Sequence, residues 1–230
     1  YGSNAFIGAI NIVTRQPFAN TGWRMTATAG SQDTSIASIQ YAEVGDKFDY
    51  RISASYLHTD GFEDVNDQII TRSGRFQGHY QFSPNLTLDA QLGYSKGPWG
   101  RGAIASSPNS QEEKEATEGY GNFRITQSFS PGNEWYLQVG MNSTEERENV
   151  DEGLLSGLLG VTPDQVPFVT LGLMDQHVDG TIYDYSTNLL DIEFQHLMQF
   201  GNKHRAVWGL GYRKDTSEGV SLRRKGWVAF

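Results

Sequence analysis

Apolar and polar residues alternate with a period of two along most of the chain beyond residue 17. Phe48 and Tyr50, for example, hold one phase, and Asp49 and Arg51 hold the other. A period of two places successive side chains on opposite faces of a β-strand. The pattern recurs in about nine segments, and a tenth begins near the end of the chain: 23–29, 35–43, 48–56, 75–82, 86–95, 123–129, 135–141, 190–200, 206–212 and 226–230. The sequence therefore predicts an all-β fold of nine to ten antiparallel strands.

The connections between these segments fall into two classes. Four are tight turns rich in Gly, Pro, Asn and Ser: 45–47, 83–85, 130–133 and 201–203. The connections that alternate with them lengthen along the chain: 30–34, 60–72, 96–118 and 145–183. Tight turns at one end and long loops at the other are typical of an outer-membrane β-barrel. A soluble sandwich would also alternate, but its loops need not lengthen at one end only.

Aromatic residues flank the tight turns, where a membrane-interface girdle would lie: Phe48, Phe82, Phe129, Trp135 and Phe200. On this interpretation the apolar phase faces lipid, as at Ile52, Leu88, Leu92, Val139 and Ile192. The polar phase faces the barrel lumen, as at Asp89, Gln91, Gln138 and Glu193. Five residues break phase. Leu57, Leu189 and Leu197 fall on the polar side, and Gln127 and His196 fall on the apolar side, which requires a rim position or a bulge.

Composition narrows the choice of class. Mean hydropathy is −0.50, and no run approaches the ~20 apolar residues of a membrane-spanning helix, so helical insertion is excluded. Aromatic residues make up 12% of the chain and there are 26 Gly, which suits many short strands with one apolar face. With no Cys, disulfides and thiolate metal sites are excluded. The formal charge of −9 argues against a nucleic-acid partner, and the basic cluster at 223–225 is interpreted as a solvated loop.

The first fifteen residues read YGSNAFIGAINIVTR, a Gly-punctuated turn followed by a short β-branched strand. This stretch resembles the end of the plug domain in TonB-dependent outer-membrane receptors. The matching positions are Tyr1, Gly2, Ser3, Asn4, Ala5, Gly8, Ile10, Asn11, Ile12, Thr14 and Arg15. Ala9 and the bulky pair at 6–7 depart from the usual motif without touching its Gly or Asn positions.

The resemblance implies a division into residues 1–17, the end of a plug, and residues 18–230, the N-terminal part of an antiparallel transmembrane β-barrel that is incomplete here. It implies energy-coupled import of a scarce nutrient, such as a ferric siderophore, haem or cobalamin, across the outer membrane of a Gram-negative bacterium. The expected partners are outer-membrane lipid, the nutrient or metal chelate, and the TonB complex, which would be engaged through a segment before residue 1. The absence of a signal peptide fits a chain that begins within the plug. A passive porin-like barrel and a soluble all-β ligand-binding domain stay open as alternatives.

The sequence contains no convincing arrangement of catalytic residues. The five His residues show neither zinc-site spacing nor a neighbouring nucleophile motif, so no catalytic residue, metal or cofactor is expected. The acidic stretch at 60–67 offers oxygen ligands for calcium, but its spacing does not fit an EF-hand and solvated carboxylates are preferred.

Two loops are candidates for ligand contact. Trp99 and Arg101 lie in the Gly-rich stretch 97–102, where an indole and a guanidinium on flexible backbone would suit an anionic aromatic chelate. The longest loop carries Leu pairs at 154–155 and 158–159 and then Thr162, which predicts two short helical turns, the second capped by Thr162. This loop is expected to fold over the barrel mouth.

Overall fold

A computed structural model describes residues 21–100, 103–104, 113–154, 161–169, 177–201, 204–219 and 222–229 of the 230-residue chain. The elements in chain order are β1 (Gly22–Ala29), β2 (Ser35–Val44), β3 (Phe48–Thr59), β4 (Val65–Asn66), β5 (Ile69–Ser83), β6 (Leu86–Gly100), β7 (Ala103–Ile104), β8 (Glu113–Ser130), β9 (Asn133–Leu154), α1 (Val166–Val169), β10 (His177–Phe200), β11 (His204–Glu218) and β12 (Leu222–Ala229). The predicted plug strand, with its motif residues from Tyr1 to Arg15, lies outside the described residues.

Ten of these strands form one antiparallel sheet in which each long strand pairs with the next along the chain. The order is β1-β2-β3-β5-β6-β8-β9-β10-β11-β12, and β4 pairs separately with β7. Because β1 and β12 stand at opposite edges, the sheet in the described residues is open. The all-β prediction and its strand count are confirmed, and the predicted tenth segment lies in β12.

The predicted tight turns at 45–47, 83–85 and 130–133 are confirmed, and they define one end of the sheet, here called the turn end. Residues 202–203 of the fourth predicted turn lie outside the described part. The β8–β9 connection is Pro131–Gly132, and Gly132 has a φ of 80°, the left-handed value that a type II turn requires after Pro. Two hairpins carry a register shift beside the turn, between Gln81 and Ser83 and between Ser128 and Ser130. Such bulges change by one residue which side chains oppose each other farther along the strands.

At the opposite end, here called the loop end, the strands run much farther than predicted. Both ends of the loop expected at 145–183 are paired backbone, because β9 continues to Leu154 and β10 begins at His177. The loop expected at 96–118 likewise shrinks to 101–112. The bounds drawn from apolar alternation were wrong because backbone hydrogen bonds continue where both faces become polar, as at Thr144 opposite Thr187.

The pairing register places the side chains of each phase on one continuous face of the sheet. On the face here called the apolar face, one row of paired residues crosses β2 to β10: Tyr41, Ile52, Phe76, Leu92, Gly121, Met141 and Leu190. On the opposite, polar face, a row crosses β3 to β11: Arg51, Gln77, Gln91, Asn122, Gly140, Asp191 and Arg213. The predicted separation of the two residue sets onto opposite faces is confirmed.

Two of the residues that break phase, Gln127 and His196, lie in strands that pair without a register shift at those positions. Gln127, Trp135, His196 and Trp208 form one row in the turn-end half of the sheet, so the two polar residues alternate with indoles within the apolar face. The His196 ring meets the Trp208 ring edge-on at 5.7 Å between centroids. The register runs through His196 without a shift, so the bulge alternative is wrong. Met198 and Phe200 lie between His196 and the turn on the same face, so a rim position for His196 stays a prediction.

The described residues contain almost no hydrophobic core. Their buried apolar side chains are Ala42, Ala116 and Val166, whereas Trp23 is 67% exposed, Met25 70% and Ile52 52%. A two-layer sandwich would bury such residues between its sheets. The single layer leaves its apolar face uncovered.

Of the two predicted helical turns, the second is confirmed, and most of the first falls on residues outside the described part. Leu154 is the last residue of β9 and not helical, and residues 155–160 lie outside the described part. The second predicted turn is present as α1. The Thr162 amide donates to the side-chain oxygen of Gln165 at 3.1 Å, and the Gln165 amide donates to the Thr162 carbonyl at 2.9 Å. Thr162 therefore opens the turn, and Gln165 supplies the capping side chain, as the Glu or Gln of a capping box does.

Candidate functional site

The polar face carries a network of charged and hydrogen-bonded side chains in the turn-end half of the sheet. Arg124 on β8 donates through Nε to the Gln138 side chain at 2.8 Å, and its guanidinium stands 4.0 Å from the centroid of the Tyr136 ring. The Tyr136 hydroxyl donates to the Glu193 carboxylate on β10. One cation, one ring and one carboxylate thus link three strands, with Arg124 over the face of the Tyr136 ring and Glu193 at its hydroxyl group.

A second part of this network lies on the adjacent strands, where Asp89 on β6 is the registered partner of Arg124 on β8. His79 Nδ1 is 2.8 Å from Asp89 Oδ1 across β5 and β6. Arg51 NH1 donates to the side-chain oxygen of Gln77 at 3.3 Å. These groups are half-buried or exposed, so they are fixed in position while still open to a molecule that covers the polar face. Among the described residues, no group of three or more His, Asp or Glu is arranged to hold a metal ion.

Sequence reasoning missed the grouping of Arg124, Tyr136 and Glu193. Counting outward from the Pro131–Gly132 turn pairs Arg124 with Val139, but the bulge between Ser128 and Ser130 moves its partner to Gln138. The bulge has no marker in the sequence. No signal short of the structure identified this network.

Tyr120 gives the polar face a shaped surface at mid-strand. A Cβ placed at Gly93 would lie 2.1 Å from the Tyr120 ring, so the ring covers the glycine directly. The two residues are registered partners across β6 and β8. Aromatic cover of a strand glycine replaces the packing that the glycine lacks. Position 93 therefore has to be glycine, because the Tyr120 ring occupies the space of a Cβ atom.

At the loop end, the β1–β2 connection packs against the β3–β5 connection. The Asp60 amide donates to the Gln32 carbonyl at 2.9 Å, and the Thr34 hydroxyl donates to Thr59 Oγ1 at 2.9 Å. Gln32 and Asp33 adopt left-handed φ values of 57° and 48°. The loop end is thus structured by specific hydrogen bonds on this side of the sheet.

The acidic stretch is part of that structure. Asp67 accepts from the Phe62 amide at 2.8 Å, and Asp60 lies 3.3 Å from His58 Nε2. These carboxylates brace the 60–68 connection.

Trp99 belongs to strand β6 and not to a flexible loop, which corrects the expectation for residues 97–100. The Gly100 amide donates to the Gln68 carbonyl at 2.7 Å, and a Cβ at Gly100 would lie 2.3 Å from the Asn66 carbonyl oxygen. At Gly97 the corresponding distance, to the Ile70 carbonyl oxygen, is 1.7 Å. The glycines permit close backbone approach, so Trp99 is held half-buried on a rigid strand. Arg101 lies outside the described residues.

Beyond the apolar stretch of β6, the strand carries Lys96, which forms an ion pair with Glu115 on β8. Hydrogen bonding to that carboxylate, and its negative charge, raise the pKa of the Lys96 ammonium. Both side chains are about half exposed, so the pair contributes little to stability.

The five predicted interface aromatics stand at the turn end, and four of them are well exposed. Phe48, Phe82 and Trp135 join further rings in two chains of aromatic contacts. Trp135 contacts Phe194 at 6.1 Å and Phe194 contacts Trp208 at 5.3 Å, while Tyr80 meets Phe82 edge-on at 4.7 Å. The additional members share the apolar phase of their strands, so periodicity could have identified them.

Within the part of the chain that the structure describes, no helix has the length and apolar character needed to cross a membrane. No model of a known protein family matches the sequence, and the comparison with curated proteins gives no match either.

Proposed function

We propose that this chain is part of a TonB-dependent outer-membrane receptor that imports a scarce nutrient, such as a ferric siderophore, haem or cobalamin, by energy-coupled transport. The proposal combines the plug-like motif at residues 1–15 with an observation on the sheet, namely the slant of its apolar band. The motif selects the family, and the slanted band supports the membrane barrel.

The slant follows from register. Starting at Thr26, the middle of the apolar stretch of β1, the paired residues lead across eight strand steps to Ser217 in β11. The apolar stretch of β11, residues 206–212, is centred eight residues before Ser217. The band thus drifts toward the turn end by about one residue per strand. With ~3.3 Å per residue and ~4.8 Å between strands, that drift corresponds to a tilt of about 35°.

A tilt of this size is what a membrane barrel requires. Strands in such barrels incline by roughly 35–45°, and a band that is level in the membrane must then run obliquely across the registered pairs. The apolar stretch of β6, residues 86–94, is about 26 Å long at ~3.3 Å per residue, and a ~35° tilt reduces its height to about 22 Å. Barrel proteins carry a lipid-facing band of ~25 Å.

The alternatives explain less. A soluble all-β ligand-binding domain has no reason to leave Trp23, Met25 and Ile52 uncovered on one continuous face. A passive porin-like barrel would account for the band but not for the motif from Tyr1 to Arg15. In the receptor, the polar face would meet the plug, and the loop end near Trp99 and Arg101 would contact the nutrient.

Labelling of the full-length protein in outer membranes tests the barrel. Single cysteines replace Leu88 or the adjacent Asp89, and each is labelled with an environment-sensitive fluorophore. We expect quenching by bromolipids at Leu88→Cys and by aqueous iodide at Asp89→Cys. Equal lipid quenching at both positions would contradict the proposed faces.

Uptake tests the receptor function. Cells lacking other receptors and expressing the full-length protein should accumulate one member of a panel of ferric siderophores, haem and cobalamin. Collapse of the inner-membrane proton gradient should abolish accumulation. Uptake that persists without the gradient would favour the passive barrel.

Changes to Trp99, Arg101 and the longest loop test the hypothesis that the loop end contacts the ligand. Changing Trp99 and Arg101 together to Ala, or deleting part of 154–174, should weaken uptake while membrane insertion stays intact. The matched control changes Trp135 and Arg205, an indole and a guanidinium near the turn end. Equal loss in test and control would remove the loop end from the ligand site.

A further inference from the structure

Three arginines lie near one another on the polar face of strands β1 to β5. Arg24 and Arg75 belong to one registered row and are three strand steps apart, or about 14 Å at ~4.8 Å per step. Arg51 lies two residues before Ser53, the registered partner of Arg75, so Arg51 and Arg75 are diagonal neighbours at roughly 7–8 Å. The three residues are here called the arginine patch.

Two of the three guanidinium groups have no acidic partner in the described part of the chain. The side chains of Arg24 and Arg75 are exposed, and no described carboxylate forms an ion pair with either. Arg51 is half-buried and donates through NH1 to the Gln77 side chain at 3.3 Å, which orients its guanidinium. The patch thus joins one oriented cation to two that are free to contact a ligand.

A row of hydroxyl groups borders the arginine patch on its loop-end side. This serine row crosses β2 to β6 at Ser38, Ser55, Ser73 and Ser95, and the Oγ atoms of Ser55 and Ser73 are 2.7 Å apart. On β1 to β6, neither the serine row nor the two rows that contain the patch carry Asp or Glu. The first acidic side chains, beginning with Asp49, lie on the next row toward the turn end. Neutral hydrogen-bonding groups therefore surround the patch.

The same three rows are acidic on the other half of the polar face. On β8 to β11 they contain Glu118, Asp191 and Asp215. The one cation of these rows on β8 to β11 is Arg213, whose Nε is 3.4 Å from the Asp215 carboxylate. Positive charge on these rows is therefore concentrated on β1 to β5, in a chain with a formal net charge of −9. An anion is attracted to that side of the face and repelled from the other.

The patch lies level with the apolar band and not at the loop end. Each of its arginines falls within the apolar stretch of its strand: 23–29, 48–56 and 75–82. With the apolar face toward lipid, these arginines stand inside the barrel at membrane depth, where low-dielectric walls strengthen the field of a charge. Arg and Lys side chains that line a membrane passage select anions. A ligand that first contacts the loop end would reach the patch only on its way through.

We propose that the arginine patch binds the ligand during its passage, and that this ligand is an anion with two or more carboxylate groups, such as a metal ion held by a polycarboxylate. One carboxylate lies between Arg51 and Arg75, and another lies near Arg24. Hydroxyl groups of the serine row donate hydrogen bonds to further ligand oxygens. The inference rests on the proposed import function and narrows its substrate class, since a neutral nutrient gains nothing from three cations.

Uptake of charged and neutral probes tests the substrate class in cells that lack other receptors and express the full-length protein. Ferric citrate and haem carry carboxylates, whereas ferrichrome and cyanocobalamin are neutral. We expect accumulation of a carboxylate probe that depends on the proton gradient. Gradient-dependent accumulation of a neutral probe alone would overturn the inference and leave the import function standing. Accumulation of none of the four would count against both.

The double variant Arg24→Gln with Arg75→Gln separates passage from binding at the surface. Because neither side chain has a described ion-pair partner, membrane insertion should be unchanged. Binding of the carboxylate probe to cells without a proton gradient should also stay unchanged. The maximal uptake rate should fall about tenfold, as expected for loss of a charge-assisted hydrogen bond. Lysine at both positions should restore most of that rate, because it keeps the charge.

Arg213→Gln is the matched control, since it removes a guanidinium from the acidic half of the same face. Its uptake rate should remain close to that of the wild type. An unchanged rate in the double variant would overturn the inference. A tenfold loss of surface binding in the double variant, or an equal loss of uptake in the control, would also overturn it, because the arginines would then support the barrel or its plug and not the passing ligand.

Discussion

The apolar and polar faces of this sheet share one backbone but are organised by different interactions. On the apolar face, large side chains are exposed and contact each other mainly as rings, as Phe194 and Trp208 do. On the polar face, side chains make directed contacts such as Arg124 to Gln138. A face that only needs apolar character tolerates exchange among apolar residues, whereas directed contacts depend on particular partners.

The largest expected effect is the difference in stability cost between an arginine placed on the apolar face and one placed on the polar face. Val139→Arg on the apolar face should lower the free energy of unfolding in lipid vesicles by about 2–4 kcal/mol, because the guanidinium enters hydrocarbon. Gln91→Arg, on the polar face between Gln77 and Asn122, should cost much less. Denaturant titration of the full-length protein in vesicles measures both. Equal costs would remove the physical distinction between the faces.

A smaller effect tests shape on the polar face. Gly93→Ala should destabilise by about 1–3 kcal/mol, because the new methyl group overlaps the Tyr120 ring. Gly140→Ala is the control on the same face, since its Cβ would lie 3.7 Å from the nearest atom, the Asn122 amide nitrogen. A Tyr120→Ala background should relieve most of the Gly93→Ala cost. If it does not, the ring is not the cause.

Tyr136→Phe removes the hydrogen bond to Glu193 and keeps the ring beneath Arg124. We expect a loss of about 0.5–1.5 kcal/mol in the free energy of unfolding, typical of one hydrogen bond. Glu193→Gln, measured alone and combined with Tyr136→Phe, completes a double-mutant cycle. Strictly additive costs would show that the two side chains do not interact.

The smallest expected effect is at Lys96. Its ion pair with Glu115 is exposed, so Lys96→Met should leave the unfolding midpoint at neutral pH almost unchanged. Because the pKa of Lys96 is raised in the folded protein, any small stabilisation by the ion pair has to vary with pH in one direction. A contribution from the pair is fully present below the unfolded pKa near 10.5 and disappears as pH rises through the folded pKa. A wild-type advantage that grows above pH 10.5 would contradict this assignment.

Period-two alternation was enough to predict the class, the strands and the two faces, because pleating alone sends alternate side chains to opposite sides. The tight turns could also be predicted, because a Pro-Gly pair such as 131–132 strongly favours a turn with a left-handed Gly132. Strand ends were not legible at the loop end. Hydrogen bonding between β9 and β10 continues through residues with no apolar pattern.

The candidate sites depended on register, which the sequence does not display. A bulge of one residue beside the Pro131–Gly132 turn decides that Arg124 meets Gln138 and not Val139. Only the paired strands place Lys214 opposite Lys225 in the register, so the basic run at 223–225 belongs to strand β12 and not to a solvated loop. Alternation is local and survives any change of partner strand, whereas a contact across strands requires the turn, the bulge and the pairing to be fixed together.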